Sequence, residues 1–173
     1  MESGVTVDWD DQSVQRTLRN AITKFGPRGA VDLTRLIGYA MRASTLQKFK
    51  DERGPRGKWQ ELAESTIEGR RGVRKALAKA GRMKDKAARA DKVTSIMGGV
   101  AILQDTGLLK RTIHSVARAT EVDIGTALLY GAYHQEGAPR ASIPARPYLY
   151  VDAADNQRIE GVALKYLERA LTE

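Results

Sequence analysis

Apolar residues recur with helical spacing in three parts of the chain. Val14, Leu18, Ile22 and Phe25 mark one helix over residues 12–25, which Gly26-Pro27 should stop. Asp32 is placed to cap a second helix whose apolar stripe runs through Leu33, Leu36, Ile37, Ala40, Met41 and Phe49. Near the end, Ile159, Val162, Ala163, Tyr166, Leu167 and Ala170 line one face of a helix that should pack on a sheet, with Asp152 or Asp155 as its cap. Between these helices the pattern changes to β-branched residues. Thr112, Ile113 and Val116, then Val122, Ile124 and Thr126, predict strands over residues 110–119 and 121–127, with a bulge or close backbone approach at Gly125. Strands joined so closely can only form an antiparallel hairpin. Val5-Thr6-Val7-Asp8-Trp9 alternates as an edge strand would, or forms a loose arm. The expected fold is α+β, a small antiparallel sheet packed against two or three longer helices within one domain spanning residues 1–173.

Turn chemistry divides the rest. Gly54-Pro55-Arg56-Gly57 is a reversal that delivers Trp59 as an apolar plug, and Met97-Gly98-Gly99 is a break. Asp105-Thr106-Gly107 is a turn or helix end, and residues 126–134 turn helical. Beyond them Pro144 and Pro147 stiffen Ile143-Pro144-Ala145-Arg146-Pro147-Tyr148-Leu149 into an extended strap, the last part of a proline-bounded stretch over residues 137–149. The strap either closes the domain over Tyr148 and Leu149 or presents Arg146 to a partner.

Charge adds a second feature. The net charge is +8, and residues 68–92 hold ten Lys or Arg against three acidic residues. This stretch should project, either as one or two exposed helices, residues 73–80 foremost, or as a segment mobile until bound. Arg70, Arg71, Arg74 and Lys75 are candidate contacts to DNA phosphates or to an acidic neighbouring subunit, against the plainer reading of a solvated face. The stretch has no aromatic residue on which bases could stack, so any DNA contact would be independent of sequence.

The chemistry that remains is limited. Cysteine is absent, which removes disulfides, thiolate nucleophiles and cysteine-bound zinc. His114 and His134 are the only histidines, and His134-Gln135-Glu136 lacks the second histidine one helical turn away that a zinc protease needs. No serine lies in a nucleophile elbow, and no glycine-rich loop has phosphate-cradle spacing. No enzyme activity, metal or cofactor is therefore expected. His134 should be a structural histidine whose ring bonds to the strap, and Arg146 an anchor for a carboxylate or a backbone carbonyl. No apolar run is long enough to span a membrane and the start has no signal-peptide pattern, so a soluble, unexported chain is expected.

Tyr130-Gly131-Ala132-Tyr133-His134-Gln135-Glu136-Gly137 together with the strap resembles the phage virion-morphogenesis family, the tail-completion or neck proteins of contractile-tailed, Mu-like bacteriophages. Three upstream stretches agree in order: Gly54-Pro55-Arg56-Gly57-Lys58-Trp59, Ile102-Leu103-Gln104-Asp105-Thr106-Gly107-Leu108-Leu109, and Val122-Asp123-Ile124-Gly125-Thr126. The motif residues are Trp59, Gly107, His134, Gln135, Gly137, Pro144, Pro147 and Tyr148. The resemblance implies a structural virion protein made in the host cytoplasm. It would join head and tail at the neck as a homo-oligomeric ring, six-fold by preference, beside other neck or tail proteins. The alternative is a small nucleic-acid-binding module that uses the basic stretch.

Overall fold

The structure is a computed structural model that describes residues 12–172, so the candidate strand at residues 5–9 lies outside the described residues. Helix α1, Gln12–Asp51, is broken at Gly26, whose φ of 70° and ψ of −178° interrupt the helical path. Pro27 opens the second part, residues 27–51, where its missing N–H costs nothing. The second part therefore begins at Pro27, and Asp32 lies inside it on the exposed face, ion-paired with Arg35 at 2.7 Å rather than capping the helix. Residues 27–51 form the spine. Leu33, Ile37 and Met41 face helix α7, Ala153–Thr172, and make one core cluster with Ile159 and Ala163. Leu36 belongs to the expected stripe, but it sits at the edge of the buried face and is exposed.

A two-stranded antiparallel hairpin packs on the adjoining face of the spine. Strands β3, His114–Ala117, and β4, Val122–Gly125, pair His114 with Gly125 and Ala117 with Val122. Gly38 lets the hairpin approach, because a Cβ there would stand 2.9 Å from Val122 Cγ2 and 3.1 Å from Ser115 Cβ. Thr34 Oγ1 donates to the Arg118 carbonyl at 2.6 Å and Arg42 Nε to that of Ile113 at 2.7 Å, which ties both ends of the first strand to the helix. The strands are shorter than residues 110–119 and 121–127. Lys110 and Arg111 belong instead to a helical turn, α5, Leu108–Arg111. Gly125 pairs in regular register, with no bulge. Helix α7 lies mainly on α1, and Val122 and Ile124 of the hairpin pack against the core cluster that the two helices share.

Asp152 and Asp155 share the capping of α7. The Asp155 N–H donates to Asp152 Oδ1 at 2.9 Å and the Asp152 N–H to Asp155 Oδ2 at 3.3 Å, a reciprocal box at the helix start. Two further strands, β1, Arg53–Gly54, and β2, Gly57–Lys58, flank the Pro55-Arg56 reversal.

The basic stretch is helical. Helices α2, Glu64–Gly69, α3, Arg71–Ala80, and α4, Lys86–Gly98, pack chiefly on one another as an arm. Asp85 caps α4 by accepting from the N–H groups of Ala87 and Ala88. Residues 68–92 hold few apolar residues of their own. A buried face exists because α4 continues past Lys92 and brings in half-buried Val93, Ile96 and Met97, while Val73 and Ala80 of α3 are buried. Of the two expectations for this stretch, exposed helices and mobility until bound, the structure shows the helices.

Candidate functional site: the strap and the cleft beneath the arm

Helix α6, Leu129–Glu136, ends at Gly137, whose φ of 84° reverses the chain. A Cβ on Gly137 would lie 2.9 Å from the Ala145 nitrogen, so only glycine fits there. A 3-10 turn, Pro139–Ala141, and a bridge between Ala138 and Ile143 then bring the strap back along α6. The strap is free of helix, pairs as a bridge at Ile143 and bends at Leu149, in keeping with its prolines. Gln135 holds it. Its Oε1 accepts from the N–H groups of Tyr148 and Leu149, each at 3.0 Å, and its Nε2 donates to the Leu149 carbonyl at 2.7 Å. His134 also bonds to the strap, but through its backbone carbonyl, which accepts from the Arg146 N–H at 2.6 Å. The expected ring bond is not made: His134 Nδ1 is buried without a partner, and the ring stands edge-on to Tyr130.

Below the strap lies the second core cluster. Tyr148 is fully buried against Phe49, and Trp59 meets Phe49 edge-on while its Nε1 donates to the Pro147 carbonyl at 2.9 Å. Trp59 thus plugs the core and hydrogen-bonds the strap. Gly107, with φ 68°, turns the preceding loop into α5, whose Leu109 joins the cluster. The Tyr148 hydroxyl is buried with no partner, and burial first, then nearby Tyr130, pushes the phenol up to about 12. Removing an unsatisfied buried hydroxyl is nearly neutral or stabilising. Tyr148→Phe should therefore melt at or above the parent temperature. Gly131→Ala should melt lower, because its Cβ would lie 2.6 Å from that hydroxyl and 2.9 Å from Thr126 Cγ2. Adding Tyr148→Phe to Gly131→Ala should recover part of the loss, and thermal denaturation of the three variants checks this.

Arg146 is 5% exposed. Its Nε donates to the Gln60 carbonyl at 2.9 Å and its Nη2 to that of Glu61 at 3.0 Å, clamping the strap to the segment that leads into the arm. Of the two sequence readings, an internal anchor and a residue presented to a partner, the structure matches the anchor. Arg70 is also tied within the chain. It sits at the junction of α2 and α3, with Nη1 donating to the Ala101 carbonyl at 2.8 Å and Nε 3.7 Å from Asp105, whereas Arg71, Arg74 and Lys75 are exposed on α3.

Between the root of the arm and the strap opens a cleft of about 540 Å³. Arg70, His134 and Arg146 reach it beside Leu108, Tyr130 and Ile143. Burial, and then the Arg146 charge, lowers the His134 imidazole below its ordinary range; burial, and then Arg70, lowers Arg146. Next to the cleft Leu129, Tyr130 and Tyr133 form an exposed apolar arc on α6. Sequence reasoning missed that arc and the cleft. The apolar start at residues 128–129 and the four tyrosines of residues 130–150 were signals, but their facing depends on how α6 docks.

The profile of the phage virion morphogenesis family matches residues 82–168, half of the chain. The chain belongs to that family. The matched region takes in α4, the hairpin, α6, the strap and most of α7, and thus three of the four resembling motifs; the motif around Trp59 precedes it. No curated protein and no solved structure matches the chain. Family membership gives it a morphogenetic, virion-associated role. Among the described residues no group of acidic or histidine side chains could hold a metal ion, and no helix is long and apolar enough to cross a membrane.

Proposed function

We propose that this protein is a structural, non-enzymatic subunit of the phage neck that completes the tail and joins it to the head as a closed homo-oligomeric ring. The observation that carries this reading is a pair of separate exposed apolar patches. One is the α6 arc, with Leu129 64% and Tyr133 55% exposed; the other is Leu36 with Tyr39, 59% exposed, on the outer face of α1. A ring closes by heterologous contact, in which one surface of each subunit meets a different surface of the next, so each subunit needs two such patches. Six subunits would match the symmetry of a tail. Exposed tyrosines suit an interface better than a solvated surface. The arm, with Arg71, Arg74 and Lys75 outward, extends toward DNA phosphates or toward acidic surfaces of other neck or tail proteins.

Native mass spectrometry and light scattering, with and without DNA, test the reading. A defined oligomer with no DNA-dependent shift supports it. A monomer whose DNA binding falls steeply with salt supports the nucleic-acid-binding alternative instead. Tyr133→Glu should dissolve the oligomer while leaving the monomer folded, since the side chain is exposed. Charge reversal at Arg71, Arg74 and Lys75 should likewise spare stability while lowering the yield of joined particles. Arg70 is excluded from that set because it anchors the arm.

A further inference from the structure

The arm gathers its cations on one side of α3. Arg71, Arg74, Lys75 and Lys79, with Arg82 in the turn that follows, recur at i, i+3, i+4, i+8 and i+11 and are all exposed, whereas Val73, Leu77 and Ala80 form the opposite, covered face. The ridge runs about 16 Å along the helix axis. No acidic residue occurs from Arg70 to Lys84, and among the described residues no side chain of the ridge makes an ion pair or a hydrogen bond. The acids of the arm lie elsewhere. Asp85 caps α4 through the N–H groups of Ala87 and Ala88, Asp91 is on α4, and Glu64 and Glu68 are on α2.

We propose that this ridge lies against the phosphates of double-stranded DNA, without regard to base sequence. The inference decides between the two partners offered above for the arm, and it holds whether or not the ring closes. A row of unpaired like charges repels itself, and duplex DNA, with one negative charge per about 1.7 Å of axis, presents roughly ten over the length of the ridge. A protein partner fits less well. Protein interfaces gather aromatic anchors at their core and are depleted in lysine, but the exposed positions between the ridge cations are Gly72 and Ala78, and the arm has no aromatic residue. The exposed tyrosines lie on α1 and α6 instead. The same lack of aromatic rings leaves single-stranded bases nothing to stack on, which favours the duplex. A membrane surface is disfavoured too, because the apolar face that α3 would bury in lipid is already covered within the arm.

Fluorescence anisotropy of a labelled duplex of about 30 base pairs, titrated with the full-length chain between about 50 and 200 mM salt, tests the contact. The logarithm of the binding constant should fall against that of salt with a slope of at least about −4, as five neutralised phosphates give, and duplexes of unrelated sequence should bind alike. The triple variant Lys75→Gln, Lys79→Gln, Arg82→Gln should flatten the slope by at least about 2.7. Loss of the same charge off the arm, by Arg56→Gln, Lys58→Gln and Lys165→Gln, should leave it unchanged, since all three side chains are exposed elsewhere. Equal flattening by both triples, or by neither, overturns the proposal. So does a single strand that binds as tightly as the duplex, or polyglutamate of equal charge that displaces the duplex as well as unlabelled duplex does, which would favour an acidic protein. Native mass spectrometry of the same samples keeps the two readings apart. An oligomer that does not bind the duplex refutes this contact and leaves the ring standing, whereas a monomer that binds it refutes the ring and leaves the contact.

Discussion

Lys48→Ala should lower the melting temperature by roughly 6–20 °C, the equivalent of about 3–5 kcal/mol for breaking a buried ion pair in a domain of this size. Asp155 is fully buried and Lys48 is 5% exposed. Lys48 Nζ donates to Asp155 Oδ2 at 2.7 Å and to the Tyr150 carbonyl at 2.5 Å, and it lies 3.7 Å from the centre of the Tyr150 ring. One ammonium therefore ties the spine to the start of α7 and to the end of the strap. Without it the carboxylate keeps Arg158 at 2.7 Å, which places the expected loss toward the lower part of the range. A loss below about 2 °C would show that solvent already screens the pair.

The pH dependence follows from the same contacts. Burial acts to raise Asp155, but hydrogen bonds from Lys48 and Ser44, with the Lys48 charge, outweigh it and hold the carboxyl below its ordinary value. A carboxyl lowered in the folded state binds fewer protons there than in the unfolded chain. Its stabilisation is thus complete above the unfolded value of about 3.9 and is lost as pH falls through the folded value. Lys48→Ala should flatten that acid limb. His134 acts in the same direction at higher pH. Its imidazole is lowered by burial and by Arg146, so the unfolded chain takes up the proton first, and stability declines as pH drops below about 6.5. Melting curves from pH 7 to pH 3 on parent and variant read both effects.

Gln135→Leu should cost about 2–4 kcal/mol, because two N–H groups and one carbonyl of the strap lose their partner together. That corresponds to roughly 4–16 °C in melting temperature. Gln135→Glu is the informative control. It keeps the acceptor that faces the N–H groups of Tyr148 and Leu149 and loses only the donor to the Leu149 carbonyl, so it should retain more stability than the leucine variant. Equal losses would mean that the side chain acts by packing alone.

Local chemistry was enough to predict several elements. Gly26-Pro27 had to break a helix, because one residue accepts φ 70° and the next cannot donate a hydrogen bond. The repeat from Ile159 to Leu167 could only be a helix with one buried face, and Pro144 with Pro147 could only be extended. The motifs around Tyr130–Gly137 and the strap carried the family resemblance. Other features depended on partners distant in sequence. Whether Arg146 faced outward or inward rested on the carbonyls of Gln60 and Glu61, 86 and 85 residues away. That Arg70 is tied down while Arg71 is exposed depends on the Ala101 carbonyl, since adjacent basic residues look alike until one of them meets a fixed acceptor. The hairpin is shorter than its β-branched run because Lys110 and Arg111 are drawn into α5, and the helical arm depends on apolar residues beyond Lys92. A side chain's propensity is its own, but its facing and its hydrogen-bond partner belong to the packed chain. For that reason the elements could be predicted from sequence, while the cleft emerged only in three dimensions.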